Sequence, residues 1–262
     1  MTSVLNMDTS DLPDDLQALC ETGQRWLMEM RYLDAERALE HAERRALDAR
    51  DFDTLSRLYL PLQETRRQIR QRCGEGIVRL DLLASGPDDT PDPEALIDRY
   101  PHGQLLIAGW GSVAPAVRFR ALARERKLYV ETFLAAVYPV NGSGRVVVIV
   151  PTPDVALPDV VDRGVDDLIR RVPAHALVLA NTELPSGERQ GTTQTFAETM
   201  AMWERLHLPH LSAADATSDP VRRIDAYRRT INVDNACELA HQKLSSVARE
   251  LGRQQRELNR SV

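Results

Sequence analysis

The sequence predicts an α/β protein with a mixed sheet of about five strands flanked by helices, an N-terminal helical segment and long C-terminal helices. Between residues 77 and 206, apolar runs of strand length alternate with helical segments, which is typical of a largely buried sheet. Residues 15–73 are rich in Ala, Leu, Glu and Arg, contain a single glycine and a single proline, and therefore predict helices.

The N-terminal segment predicts an antiparallel helix pair over residues 16–30 and 34–49, followed by a third helix from Asp53. Small and bulky residues recur through the pair at Gly23, Trp26, Tyr32, Ala35, Leu39 and Ala42. This spacing resembles a single tetratricopeptide repeat, and the resemblance covers about 34 residues. It implies that Gly23 and Ala35 lie where the helices cross. One repeat cannot bury its own apolar face, so we expect a partner for that face inside or outside the chain.

The α/β region begins after the turn residues that surround Gly74 and Gly76. Its predicted strands cover residues 77–83, 104–108, 128–138, 145–150 and 175–180, and its predicted helices cover 93–100, 114–126, 160–171 and 192–206. The third and fourth strands are separated only by residues 139–144, which include Asn141-Gly142, so they predict an antiparallel hairpin and a mixed sheet.

The C-terminal region, residues 219–262, is again predicted to be helical. Apolar residues recur there at steps of three and four from Cys237 to Leu258, which is the spacing of a coiled-coil seam. We expect this stripe to pack against the N-terminal helices, with dimer formation as the alternative. The sequence thus divides into a disordered acidic tail (1–14), a helical repeat-like segment (15–74) and an α/β domain with C-terminal helices (75–262).

Composition and charge exclude several classes of function. The 262 residues are 43% hydrophobic and carry a net charge of −6, which disfavours nucleic acid as a partner because phosphate binding needs clustered basic residues. The acidic start lacks the features of a signal peptide, and no apolar run approaches the length of a membrane span. Three cysteines without a CxxC pair fit reduced thiols. We therefore expect a cytoplasmic protein without a membrane partner.

A first candidate ligand site is the turn in which a strand runs through Gly109-Trp110-Gly111-Ser112 into a helix. The pattern GxGxxA resembles the dinucleotide-binding fingerprint of Rossmann proteins, which implies phosphate at the helix N-terminus and an acidic residue on the ribose. Glu131 is the candidate acid. The alternative is a tight strand-to-helix turn selected for packing.

A second candidate site is the glycine-rich turn over residues 186–193, which also enters a helix. Gly187, Gly191, Thr192 and Thr193 could present N–H and hydroxyl groups to an anion. The alternative is a helix capped by Thr192 or Thr193. Both turns are expected at the carboxyl ends of strands, so they could converge on one cleft.

Metal and catalytic motifs are weaker. Glu204-x-x-His207 and Glu238-x-x-His241 have a spacing used by di-iron bundles, and His207-x-x-His210 could be a ligand pair. With six histidines and many glutamates, such spacings also arise by coincidence, so no metal site is assigned.

Two functional hypotheses follow from the sequence. The first is an interaction or scaffold protein, with a helical docking segment, a protein partner or self-association through helices, and an α/β domain that senses a small ligand. The second is an enzyme or binding domain for an anionic small molecule, such as a nucleotide or sugar phosphate, that uses the glycine-rich turns. Neither the reaction nor the cofactor is specified by the sequence.

Overall fold

The computed structural model describes residues 12–141, 144–160 and 164–260, and it has a mixed α/β architecture. Most of the predicted acidic tail therefore lies outside the described residues. The elements, in chain order, are α1 (Leu16–Met28), α2 (Tyr32–Asp48), α3 (Phe52–Glu75), β1 (Ile77–Leu83), α4 (Pro93–Arg99), β2 (His102–Trp110), α5 (Ala114–Glu125), β3 (Tyr129–Val140), β4 (Gly144–Val150), α6 (Val165–Arg171), β5 (Leu177–Ala180), a short 3-10 helix (Asn181–Glu183), β6 (Arg189–Gln190), α7 (Thr193–Asp215), α8 (Pro220–Val233) and α9 (Glu238–Arg260).

The chain forms two compact units, and neither is continuous in sequence. Among the described residues, the helical unit comprises 12–69, 214–228 and 236–260, and the α/β unit comprises 70–141, 144–160, 164–213 and 229–235. Helices α3, α7 and α8 contribute residues to both units. This division differs from the predicted boundary at residue 74, because α9 clusters with the N-terminal helices and not with the sheet.

The helical unit begins with the predicted antiparallel pair. Asp15 caps α1 by accepting a hydrogen bond of 2.8 Å from the N–H of Ala18. At the crossing, a Cβ built on Gly23 would lie 2.6 Å from two atoms of the Leu39 side chain, so only glycine permits this approach of α1 to α2. Ala35, Leu39 and Ala42 are fully buried at the same interface.

Helix α9 packs antiparallel to α3 within this unit. The hydroxyl of Ser245 donates to the carbonyl of Ser56 at 2.6 Å, and Arg256, near the end of α9, pairs with Asp53, near the start of α3. The predicted stripe is buried at Cys237, Ala240, Leu244, Val247 and Leu251. The expectation that this stripe packs against the N-terminal helices is therefore confirmed, and residues 234–237 separate α8 from α9.

A buried arginine joins three helices of this unit. Arg66 on α3 donates to Glu36 and Glu40 of α2, each at 2.9 Å. Its Nη1 also lies 3.2 Å from His241 Nε2 on α9, while His241 Nδ1 lies 2.9 Å from the carbonyl of Cys237. Since a carbonyl can only accept, Nδ1 carries the proton and Nε2 accepts from the guanidinium, so His241 is held neutral.

The α/β unit contains one six-stranded sheet of order β5-β4-β3-β2-β1-β6. β1, β2 and β3 are parallel, β3 and β4 form the predicted antiparallel hairpin, and β6 pairs antiparallel with β1. The sheet is mixed, as the sequence predicted. The sixth strand, of two residues, was not predicted; it lies inside the glycine-rich turn.

Both faces of the sheet are covered, because alternate side chains along each strand enter two different cores. On one face Leu134, Ala136 and Tyr138 of β3 belong to the core that contains Ile97 of α4 and Phe119 of α5. On the other face Phe133, Ala135 and Val137 belong to the core that contains Trp203 and Leu206 of α7. Continuous apolar strands are the sequence signature of such burial on two faces.

Candidate functional site

The turn from β2 to α5 is closed by its own hydrogen bonds. The N–H of Gly109 donates to the carbonyl of Ser112 at 3.1 Å, and the N–H of Gly111 donates to the carbonyl of Val137 at 3.0 Å. The Ser112 hydroxyl accepts from the N–H of Ala114 at 3.2 Å. Gly111 has φ +58°, and a Cβ there would overlap the side chain of Val160. The glycines thus serve a packed turn, and the donors that a phosphate would need are already bonded.

Glu131 does not lie near this turn. It is the third residue of β3, which runs parallel to β2, so it lies at the amino end of the strand and Gly109 at the carboxyl end of its neighbour. The expected role of Glu131 as the ribose-binding acid beside the Gly109 turn is therefore wrong. Glu131 pairs with Gln104 and Gly109 pairs with Ala136, so five residues of parallel strand separate the two levels, which is about 17 Å at the usual rise.

The second glycine-rich turn lies along β1. Its Gly187 donates to Asp81 Oδ2 at 2.9 Å, and β6 then runs antiparallel along β1 until Gly191 donates to the carbonyl of Gly76 at 2.8 Å. Thr192 then caps α7, since its hydroxyl accepts from the N–H of Thr195 at 3.2 Å. The capping interpretation of Thr192 is confirmed, with Thr193 as the first residue of the helix.

The two turns do not converge on one cleft. β6 carries the second turn back to the start of β1, so Gly191, Thr192 and Thr193 lie at the amino end of the strands, opposite to Gly109, Gly111 and Ser112. The expectation that both turns lie at the carboxyl ends of strands is wrong for the residues that enter α7. Ligand binding by either turn alone stays a prediction.

The histidines of the ExxH pairs have other partners. His207 Nδ1 lies 2.6 Å from Asp234 Oδ2 in the α/β unit, whereas His241 contacts Arg66 in the helical unit. Across the described residues, no group of three histidine, cysteine, aspartate or glutamate side chains is placed to hold a metal ion.

The main polar feature of the α/β unit is a buried cluster around Arg70, the Arg70 cluster: Arg70, Gln104, Glu131, His207 and Asp234. Arg70, at 3% side-chain exposure, contacts Glu131 through Nε at 3.1 Å and Nη2 at 3.0 Å, and its Nη1 lies 2.6 Å from Asp234 Oδ1. Gln104 donates to the second oxygen of Glu131 at 3.1 Å and accepts from the Thr199 hydroxyl at 2.7 Å. The cluster joins the end of α3, two strands, α7 and the segment after α8.

The electrostatics of the cluster follow from this pairing. Burial alone would raise the pKa of Asp234, but the Arg70 guanidinium and His207 outweigh burial and lower that pKa to about 2. Burial opposes the charge of Arg70, and the carboxylates of Asp234 and Glu131 nevertheless raise its pKa above the ordinary value. Asp234 accepts from His207 Nδ1, so this nitrogen carries the proton and the orientation of the ring is fixed. The cluster thus keeps Arg70 and Asp234 charged in a buried position and fixes the orientation of the His207 imidazole.

An aromatic layer covers the cluster. The ring of Trp203 stacks on Phe133 at a centroid distance of 4.2 Å, and the guanidinium carbon of Arg70 lies 4.9 Å from the indole centroid. A second guanidinium, that of Arg120 on α5, lies 6.0 Å from the same indole. Burial lowers the pKa of Arg120 to about 10, with Glu131 opposing and Arg70 adding to this shift.

Sequence reasoning missed Arg70, Asp234 and Arg120. The sequence of α3 did indicate buried arginines. Arg66 and Arg70 follow the buried residues Leu58 and Leu62 at i+4 spacing, so all four lie on the same face of the helix. Charged residues on the buried face of a helix indicate partners elsewhere in the fold. Which partners they are could not be obtained from spacing.

Comparison with known protein families, with curated proteins and with solved structures finds no match for this chain. Within the part of the chain that the structure describes, no helix is long and apolar enough to cross a membrane.

Proposed function

We propose that this chain is an interaction protein whose helical unit docks a protein partner. The observation that carries the proposal is the distribution of exposed apolar side chains. Among the described residues, nine large hydrophobic side chains are exposed, and six of them belong to the helical unit: Met28, Met30, Leu60, Val221, Leu239 and Leu258. Single exposed apolar residues are ordinary, but their concentration on one unit favours a contact surface there.

Two of these residues are near a contact between α3 and α9, and we call the four residues Leu60, Gln63, Glu238 and Leu239 the Leu60 surface. Gln63 Nε2 lies 3.4 Å from Glu238 Oε2, which connects α3 to the start of α9. Leu60 is one helical turn before Gln63, and Leu239 directly follows Glu238, with exposures of 48% and 46%. Apolar residues beside a polar pair are the composition of a protein-binding surface.

The resemblance of α1 and α2 to a tetratricopeptide repeat supports the same proposal, since stacked helix pairs of that type present extended surfaces to other proteins. Met28 and Met30, at the end of α1, add flexible thioether side chains, which adapt to varied partners. The alternative function, an enzyme or binding domain built on the two glycine-rich turns, has less support because the donors of those turns are bonded within the chain.

Photo-crosslinking tests the proposal. A benzophenone amino acid would replace Leu60 or Leu239 in cells that make the protein, with position 169 of α6 as the control, because Ile169 is similarly exposed at 50% in the α/β unit. We expect discrete adducts of one mass from positions 60 and 239 and none from 169. With the probe at position 60 the substitution L239D should remove the adduct, and with the probe at position 239 the substitution L60D should do the same. Equal adduct patterns from all three positions would contradict a docking role for the helical unit.

A further inference from the structure

The indole of Trp203 has an unused donor. Trp203 is 5% exposed, and its Nε1 is buried without a hydrogen-bond partner among the described residues. Buried N–H groups in folded proteins are almost always bonded to the protein, to water or to a ligand. This N–H is therefore a donor that a water or a ligand can use.

Arg120, which lies beside the same ring, forms no ion pair within the described residues, and Glu131 acts on its charge only from beyond ion-pair distance. Its Nε donates to the carbonyl of Thr132 at 2.9 Å, and Nη2 donates to the same oxygen. Of the described residues, no aspartate or glutamate lies within ion-pair distance of this guanidinium, whereas Arg70 nearby is paired with both Glu131 and Asp234. Arg120 stays protonated at neutral pH, since its pKa is about 10. The guanidinium carbon of Arg120 lies 6.0 Å from the centroid of the indole whose N–H is unbonded, so a cation without an ion-pair partner and an unused donor lie close together.

The local fold explains how these two groups meet. α5 belongs to one face of the sheet and Trp203 to the other. β4 pairs with β3 only from Leu134 onward, so the first five residues of β3 have no partner strand on that side. Arg120 extends past this open edge, where it bonds the carbonyl of Thr132. Part of Arg120 remains exposed beside this edge, although its guanidinium is buried enough to lower its pKa.

We propose that Arg120 and the indole N–H of Trp203 bind a small oxyanion, a carboxylate or inorganic phosphate, at the open edge of β3. One oxygen would accept from Trp203 Nε1, and the negative charge would pair with the guanidinium, whose Nη1 donors the Thr132 carbonyl does not use. This site is separate from both glycine-rich turns, and it does not depend on a partner of the helical unit.

The indole resonance of Trp203 provides a direct test. In a ¹H–¹⁵N spectrum the three tryptophans give three indole signals, and the substitution W203F identifies the relevant one. Sodium phosphate and sodium acetate would be added separately at constant ionic strength, with chloride as the reference. We expect a saturable shift of the Trp203 signal with at least one of the two anions, while the signals of Trp26 and Trp110 stay unchanged. Which anion acts distinguishes phosphate from carboxylate.

Variants of Arg120 connect the shift to the proposed site. R120Q should weaken the apparent affinity by at least about tenfold, the loss expected for a charge-assisted hydrogen bond. R120K keeps the charge and should weaken it less, which keeps the test informative if R120Q folds poorly. R118Q, an exposed arginine on the same helix, should match the unaltered protein. The proposal is overturned if neither anion gives a saturable shift, or if R120Q and R120K bind as tightly as R118Q.

Discussion

Replacement of Arg70 by methionine should destabilise the protein strongly. The substitution removes the guanidinium that contacts Glu131 and Asp234 and leaves both carboxylates buried. Breaking a buried ion pair by removing one partner costs about 3–5 kcal/mol. The pKa of Asp234 gives an independent check, because lowering it from 3.8 to about 2 corresponds to roughly 2 kcal/mol for this carboxylate alone.

Urea denaturation at neutral pH would measure this loss, with R67M as the matched control. Arg67 is on the same helix but pairs with Glu64 at the surface, where an ion pair contributes at most about 1 kcal/mol. The triple variant R70M/E131Q/D234N should recover most of the loss, since no unpaired charge then remains buried. A cost for R70M within 1 kcal/mol of that for R67M would refute the argument.

The same cluster predicts a dependence on pH. The folded-state pKa of Asp234 is depressed, so its contribution is fully present above about pH 4 and is lost as the pH falls towards 2. In R70M the depression is largely removed, so the free energy of unfolding should fall less steeply over this range than in the unaltered protein. Parallel acid titrations of both proteins, followed by circular dichroism, would detect the difference; identical slopes would contradict the assignment.

Three further outcomes are expected. G23L should lower the free energy of unfolding by about 1–3 kcal/mol through overpacking against Leu39, and an unchanged melting temperature would count against the crossing of α1 and α2. The pKa of His210 is lowered by burial and by the nearby His175, Arg229 and His207. The free energy of unfolding should therefore decrease as the pH falls below about 6.5, because the unfolded state then binds the proton more readily. Urea titrations at pH 7, 6 and 5 would measure this decrease, and H210F should reduce it. Deletion of residues 238–262 should expose the apolar face of α3 and cause aggregation measurable by light scattering; a soluble, equally stable product would exclude the packing of α9 described above.

The sequence predicted most of the fold because the local signals were strong. The bounds of β1 were predicted to the residue, and the hairpin of β3 and β4 followed from the short turn between two apolar runs. β6 was missed because two residues show no periodicity. Its absence from the prediction had a large effect, since this strand is what carries Gly191 to the amino end of β1.

The candidate site was predicted less well, for a physical reason. A glycine in a strand-to-helix turn leaves room for another group to approach the backbone closely. At Gly111 that group is the side chain of Val160 and not a phosphate. The pairing of Arg70 with Glu131 and Asp234 joins residues that lie far apart along the chain, and no periodicity encodes it. Glu131 was chosen for its spacing after Gly109 as a ribose-binding acid, but its partner is Arg70.

The antiparallel contact of α3 with α9 also has a consequence for synthesis. Ser56 and Ser245, which bond across it, are 189 residues apart. At a rate of about 5–20 residues per second, roughly 10 to 40 s pass between their emergence from the ribosome. During that interval α3 exists without the helix that packs against it, while the whole sheet is being made. The N-terminal helices are therefore a natural substrate for chaperones that bind apolar surface on nascent chains, and they reach their final state only after the α/β unit has been synthesised.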